Sequence, residues 1–345
     1  MKRILLIRPS AMGDIVMASP VVEALRRGRP DAFIAWLADP VLAPLLAHHP
    51  DLDRVVPWSR NRWSQLAKGG RWLSLAGEIR ALRATLHACR FDTAIDLQGL
   101  FRSRLLALLS GAATRIGFAS KEPGECLMSR IEDKGPDDKQ MGSEYRYLMD
   151  RLGIPADGFA PRLVLSEAGR TAAAKLLARQ GVRPPYGVLC PFTTRPQKHW
   201  VEDRWAPLAA ALHHRFGWPS VLLGGPGDRE AAQRIAVAAT TPLANLAGAA
   251  PIEQSAAVVE GADLIVGVDT GLTHMGTAFG RATVALFGPT CPYLRTPSPA
   301  TRVLHHPHEC SPCRRSPTCR DYRCMAGIRL DEVVEAAAEL RDRTR

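Results

Sequence analysis

The sequence predicts an α/β protein built on two parallel sheets, and three observations carry that expectation. Strand-like apolar runs alternate with helical patterns along the chain, which is the sequence form of a parallel sheet. The runs fall into two series, separated by a proline- and glycine-rich region around residues 153–185. The length of 345 residues suffices for two domains of ordinary size, each with its own core. The expected division is a first Rossmann-like domain over residues 1–165, a second over 180–328, and a C-terminal helix over 329–345 able to cross back to the first. The two domains are expected to face each other across a cleft.

Each element follows from local pattern. Lys2 to Arg8 reads as a short buried strand and Ile15 to Leu25 as a helix. FIAWLA at 33–38, RVVPW at 54–58, TAIDLQG at 93–99 and the shorter TRIGF at 114–118 complete the first series. The second comprises YGVLCPF (186–192), PSVLLGGP (219–226), ADLIVGVD (262–269) and ATVALFGP (282–289). LDEVVEAAAELRDR then reads as an amphipathic helix with Leu330, Val333, Val334, Ala337 and Leu340 on one face.

Composition narrows the class. A hydrophobic fraction of 46% with 23% charged residues is that of a soluble globular protein. No apolar run reaches the ~18 residues of a membrane-spanning helix, and Ile4–Ile7 is too short for a signal-peptide core, so a cytoplasmic protein is expected. The net charge of +11 asks for an acidic partner: nucleic acid, an anionic membrane face or a phosphorylated substrate. Residues 54–90 hold eight Lys/Arg against the single acid Glu78, with Trp58, Trp63 and Trp72 interleaved.

Ligands of open α/β sheets bind beyond the carboxyl ends of the strands, so strand endings deserve weight. The first strand runs into Pro9-Ser10-Ala11-Met12-Gly13-Asp14, which has one glycine and a carboxylate where a phosphate-binding turn has G-x-G-x-x-G. Taken alone, Asp14 reads either as a helix cap or as a functional acid. In the second series, Gly224-Gly225-Pro226-Gly227-Asp228 offers close backbone approach, with Asp228 or Glu230 to accept from ribose hydroxyls; a plain strand-to-helix turn is the alternative. Asp269-Thr270-Gly271-Leu272-Thr273-His274 opens a helix whose free amides suit an anion, with the Thr273 hydroxyl added. Thr193, Thr194 and Lys198 in PFTTRPQKHW are further diphosphate donors.

These stretches, together with SAMGDIVMASPVVEAL, DLQGLFRSRLLALL, KEPGECLMS and GVDTGLTHMGTAFGRATVALFGPTCP, resemble the ADP-heptose:lipopolysaccharide heptosyltransferases of glycosyltransferase family 9 over nearly the whole chain. SRNRW followed by AIDLQGLFRS looks most like the heptosyltransferase I type, which adds the first heptose to the Kdo sugar of lipid A. The resemblance implies a GT-B fold with an acceptor-binding first domain and an ADP-sugar-binding second domain. It implies inverting transfer of L-glycero-D-manno-heptose from ADP-heptose, on the cytoplasmic face of the inner membrane, to Kdo–lipid A. Asp14 then stands where the family carries its catalytic base, with Ser10, Met12 and Gly13 beside the acceptor and Arg60, Arg62 and Lys121 on its anionic groups. Lys198 is implied as catalytic, stabilising charge on the leaving diphosphate. The donor set comprises Thr193, Thr194, Lys198, Gly225, Asp228, Asp269, Thr270, Gly271, Leu272, Thr273 and His274.

No cofactor and no catalytic metal are expected; the D-x-D at Asp51–Asp53 reads as a solvated turn. Cys310, Cys313, Cys319 and Cys324 have C-x₂-C-x₅-C-x₄-C spacing and either close a structural Zn site or remain reduced and packed. Cys89, Cys126, Cys190 and Cys291 are expected in the cores. Other readings are transfer to a later core heptose, use of another nucleotide-sugar, a nucleotide-sugar epimerase, and a basic nucleic-acid-binding protein. No RNA-binding signature accompanies the last, and an acceptor site explains the charge equally well.

Overall fold

A computed structural model describes residues 1–313, 317 and 319–343. It divides into two compact units, residues 1–138 with 142–159, and residues 139–141 with 160–345. In the first unit the strands are β1 (Arg3–Ile7), β2 (Phe33–Ala38), β3 (Arg54–Pro57), β4 (Thr93–Asp96), β5 (Thr114–Phe118) and β6 (Arg130–Glu132). They form one parallel sheet of order β3-β2-β1-β4-β5-β6. Helices α1 (Met12–Ala18), α2 (Pro20–Gly28), α3 (Arg60–Lys68), α4 (Trp72–Ala88), α5 (Phe101–Leu109) and α6 (Ser143–Arg151) accompany it. Ile4, Leu6, Ile34, Trp36 and Ile95 fill one face of the sheet with α1, α2 and α6, while Leu5, Ile7, Leu37 and Ala94 fill the other with α4 and α5.

The second unit repeats the plan with β7 (Gly187–Cys190), β8 (Ser220–Leu222), β9 (Leu243–Asn245), β10 (Leu264–Val268), β11 (Thr283–Phe287) and β12 (Thr301–His305). Its parallel order is β12-β11-β10-β7-β8-β9, the same connectivity as the first sheet read from the other edge. Its helices are α7 (Glu167–Arg179), α8 (Trp205–Phe216), α9 (Arg229–Ala238), α10 (Ile252–Glu260), α11 (Gly271–Ala278), α12 (Arg323–Ala326) and α13 (Leu330–Arg343). Both sheets have the doubly wound order whose switch point lies beside the first strand.

Four expectations need correction. The single helix over Ile15–Leu25 is two: Ser19 ends α1, and Pro20, which lacks an N–H, opens α2 at its first position. The short strands β6, β9 and β12 lacked a sequence signal. The C-terminal helix belongs to the second unit, where Val333, Ala336, Ala337 and Leu340 join the core with α8, β10 and β11. Cys89, Cys190 and Cys291 are buried as expected, but Cys126 lies exposed in a tight turn.

Candidate active site

In the first unit, loops from the carboxyl ends of β1, β4 and β5 are bound to one another. Asp14 is not the helix cap: α1 starts at Met12, Ala11 caps it, and Asp14 is the third helical residue. Its carboxylate reaches back to accept from the Ala11 amide at 3.2 Å, as an acid at this place does. The other contact is an ion pair with the Arg8 guanidinium. The Asp14 side chain remains 37% exposed, while Arg8 is buried at the strand end. Arg8 Nη1 donates to the Leu97 carbonyl at 2.8 Å, and Gln98 Nε2 donates to the Ser10 carbonyl at 3.1 Å. Ser10, Met12 and Gly13 stand half-buried beside Asp14.

The loop after β4 is braced by Asp96, which accepts from the amides of Gln98 (2.9 Å) and Gly99 (3.1 Å) and from the Ser103 hydroxyl (2.8 Å). Ser120 then ties the loop after β5 to the Gly99 carbonyl at 2.6 Å. The buried Arg104 donates to the carbonyls of Phe118, Glu122 and Pro123, so the loop that presents the exposed Lys121 is pinned from within. Arg60 and Arg62 instead open α3, after the outer strand β3, with Ser59 as its cap. Arg62 is paired with Glu78 at 2.9 Å, and among the described residues no hydrogen bond joins either arginine to the Asp14 loop.

In the second unit, Asp269 is a hub. Lys198 Nζ lies 2.6 Å from its Oδ2, His274 Nε2 lies 3.1 Å from its Oδ1, and the Thr290 hydroxyl donates to Oδ2. The Thr193 hydroxyl donates to the Asp269 carbonyl at 3.3 Å. Burial works to raise the Asp269 pKa, but the hydrogen bond and charge of His274, then those of Lys198, outweigh it and hold the carboxyl well below the usual range. His274 is held on its far side by the Tyr293 hydroxyl, 2.7 Å from Nδ1. Thr193 is half-buried and Thr194 exposed in the loop after β7. Thr270 caps α11, whose first intrahelical bond is from the His274 amide, so the amides of Gly271, Leu272 and Thr273 precede the ladder.

Thr273 departs from expectation. Its hydroxyl is fully buried, has no partner among the described residues, and packs where a side chain on Gly267 would stand, 2.2 Å from that position. It faces the sheet and offers nothing to an anion; Gly267 is glycine to admit it. Gly225 donates its amide to Asp228 Oδ2 at 2.7 Å, so one carboxylate oxygen of Asp228 braces its own turn.

Asp53 of the D-x-D accepts from the Ile34 amide and from Arg26. Asp51 comes together with Glu23 and His49, their ligand atoms within 4.8 Å of one another, the one such group of three among the described residues. The four clustered cysteines are free thiols, and no three of their sulfurs meet that spacing. Burial, then the neighbouring thiols Cys313, Cys319 and Cys310, push the Cys324 thiol up to about 11. Four thiols suit Zn chemically, but as placed they do not close a ligand set. Sequence reasoning missed Arg8, Asp96, Thr290 and Tyr293; Thr290 stands inside the quoted stretch ending GPTCP, and Tyr293 directly follows it.

Residues 79–322 match the model of glycosyltransferase family 9 (heptosyltransferase). The chain is 31% identical to lipopolysaccharide heptosyltransferase 1 of Pseudomonas aeruginosa, over 92% of this chain and 87% of that protein. It is 30% identical to lipopolysaccharide heptosyltransferase 2 of Escherichia coli K12, over 88% and 87%. The solved structure of the E. coli ADP-heptose LPS heptosyltransferase II superposes with a TM-score of 0.80 at 25% identity, covering 99% of both chains. The chain belongs to glycosyltransferase family 9, the heptosyltransferases, and has their two-sheet GT-B fold.

Proposed function

We propose that this glycosyltransferase moves L-glycero-D-manno-heptose from ADP-heptose to the Kdo–lipid A inner core of lipopolysaccharide, with inversion and without a metal. The first unit takes the acceptor and the second takes the ADP-sugar. Asp14 removes the proton from an acceptor hydroxyl as that oxygen attacks the anomeric carbon from the face opposite ADP. The bond from the anomeric carbon to the diphosphate oxygen breaks, and Lys198 with the first amides of α11 stabilises the charge left on ADP. Asp269 holds the Lys198 ammonium in place. Asp228, through its second oxygen, is assigned to the ribose, with Thr193, Thr194 and Gly225 lining the donor. Ser10, Met12 and Gly13 line the acceptor, and Arg60, Arg62 and Lys121 bind its carboxylates and phosphates.

The observation that carries this reading is the Lys198–Asp269 pair beside the α11 start: a fixed cation next to free amides beyond two adjacent strand ends. Among the described residues no helix is long and apolar enough to cross a membrane, so the enzyme is proposed to act from the cytoplasm as a peripheral protein at the inner membrane. A second reading, transfer to a later core heptose, is favoured by the near-equal identities of 31% and 30% to relatives of types 1 and 2. Incubating the enzyme with ADP-heptose and either Kdo–lipid A or its heptosylated product, followed by mass spectrometry, separates the two. Addition of one heptose to Kdo–lipid A supports the first reading. Reaction only with the heptosylated acceptor replaces it by the second.

A further inference from the structure

The tip of the α3–α4 hairpin serves neither the core nor the Asp14 loop. The base of the hairpin is fixed: Trp58 is buried and meets Trp63 edge to face at 5.5 Å, Leu66, Leu82 and Leu86 point inward, and Arg62 pairs with Glu78. At the tip, Gly69 and Gly70 turn the chain, Gly70 with a φ of +66° that suits glycine. Beyond the turn, two large apolar residues point to solvent: Trp72 is 64% exposed and Leu73 91%. Lys68 and Arg71 flank them, and Arg80 follows two turns along the face of Leu73. Among the described residues, none of Lys68, Arg71 and Arg80 has a carboxylate partner.

Helix stability does not select this sequence. A helix start prefers a Ser, Thr, Asp or Asn cap and acids in its first turn. α4 has Arg71 at its cap, no capping side chain and no acid in the first turn. A Trp–Leu pair ringed by cations is, however, the composition that enters a lipid headgroup layer, with the indole at the interface, the leucine at the acyl boundary and the cations on phosphates.

We infer that the α3–α4 tip is a membrane-docking element that seats the first unit on an anionic bilayer. Charge complementarity selects this occupant: the 54–90 segment has eight cations and one acid, and the apolar pair at its apex has no use on a phosphate backbone. The inference rests on the proposed lipid-linked acceptor. Arg60 and Arg62 stand at the opposite end of α3, about 12 Å along its axis from the tip. That offset suits sugars and phosphates raised above the acyl layer.

The test is sedimentation of the full chain with vesicles of phosphatidylcholine alone or mixed with phosphatidylglycerol. The unaltered protein should bind the mixed vesicles and barely the neutral ones. Lys68→Gln with Arg71→Gln should weaken binding by about 30-fold at low salt. Trp72→Ser with Leu73→Ser should weaken it about tenfold or more, at all salt concentrations. Thermal unfolding and turnover of a deacylated, water-soluble acceptor should be unchanged in both variants, while turnover of acceptor held in vesicles falls with binding. Undiminished vesicle binding by both variants overturns the inference, as does loss of duplex-DNA binding in place of vesicle binding. If no acceptor is turned over even by the unaltered protein, the proposed function fails, yet the vesicle measurement still decides the docking.

Discussion

The two sheets repeat one connectivity, so β4 and β10 are equivalent as the fourth strand of each, and both lead to a buried aspartate. Asp96 is the last residue of β4; Asp269 directly follows β10. Asp96 is fully buried and takes its hydrogen bonds from two amides and a hydroxyl. Burial dominates there, outweighing those bonds and the nearby Arg8, and its pKa is raised. Asp269, with 11% of its side chain exposed, takes bonds from Lys198, His274 and Thr290, and its pKa is lowered against burial. The fold thus fixes where a carboxylate stands, and its partners fix its charge. Neutral donors make Asp96 a brace for a loop. Cations make Asp269 a permanent anion that holds a lysine at the strand ends.

Neither strand-end aspartate is suited to take a proton from a substrate: one is enclosed, the other occupied and strongly acidic. Asp14 is the exposed carboxylate between them in kind, with one cation and one amide as partners. The largest expected effect therefore falls on Asp14→Asn, which should lower kcat by about 10²–10⁴ while leaving ADP-heptose affinity intact. The amide can still accept from Ala11, but the buried Arg8 loses its carboxylate partner, so about 1–2 kcal/mol of stability should be lost. Asp14→Ala should lose the same turnover and, as the bond from the Ala11 amide goes too, about 1 kcal/mol more of stability. Near-normal turnover by the Asn variant would place the base elsewhere.

The second prediction tests the comparison itself. Asp269→Asn leaves Lys198 and His274 without their anion and should cost about 3 kcal/mol at neutral pH, with weakened donor binding. Asp96→Asn keeps the shape and most acceptor capacity, and should cost no more than about 1–2 kcal/mol. The pH dependences should have opposite signs. A lowered carboxyl pKa stabilises the fold above the unfolded value of about 3.9, and this is lost as pH falls through the folded value, which lies lower. The gap between wild type and Asp269→Asn should therefore close below about pH 4. A raised pKa gives stability that is full below about 3.9 and lost as pH rises through the higher folded value. The gap for Asp96→Asn should therefore shrink, or invert, as pH rises above about 4. Melting temperatures of the three proteins measured on both sides of about pH 4 check both, and parallel curves would mean that the two sites share one electrostatic environment.

This contrast also marks what was legible in the sequence. Strands buried on both faces, such as Phe33–Ala38 and Leu264–Val268, announced themselves as continuous apolar runs. The edge strands Arg130–Glu132 and Leu243–Asn245 are three residues long and part polar, and carry no such signal. Asp14, Lys198 and Asp269 were legible because each lies within a family motif at a strand end. Arg8, Thr290 and Tyr293 were not, because their part depends on which carboxylate or ring the fold brings to them. The three tryptophans of the basic stretch looked alike in sequence, yet packing buries Trp58, half-buries Trp63 and leaves Trp72 outside.

A smaller effect is expected where the charges are exposed. Arg60→Glu with Arg62→Glu should raise the acceptor KM about tenfold or more, since two favourable contacts to anionic groups become repulsive, and should leave ADP affinity almost unchanged. Arg62 already has Glu78 as a partner, so Arg60 alone should account for most of the change. Unaltered acceptor kinetics would remove the pair from the acceptor site and leave Lys121 and its pinned loop as the remaining basic contact there.

The smallest effect is expected from removing divalent cations. In the proposed reaction the charge that appears on the leaving diphosphate is met by the Lys198 ammonium, which Asp269 fixes at 2.6 Å, and by the amides that open α11. Both are built into the second sheet and need no ion to assemble. Asp53 of the D-x-D is taken up by the Ile34 amide and Arg26, which leaves it a tie between α2 and β2. Asp51, with Glu23 and His49, forms the one group of three among the described residues that could attract a cation, and it lies in the first unit, away from the proposed diphosphate donors in sequence and in sheet. Turnover after dialysis into excess EDTA should therefore equal that with Mg²⁺. A rate that is lost and then restored by Mg²⁺ or Mn²⁺ would return the metal to the chemistry and Lys198 to a lesser part. Slow inactivation by a strong Zn chelator, with loss of folded protein, would instead point to the cysteines after β12 as a staple, because free thiols at this spacing give a chelator nothing to remove.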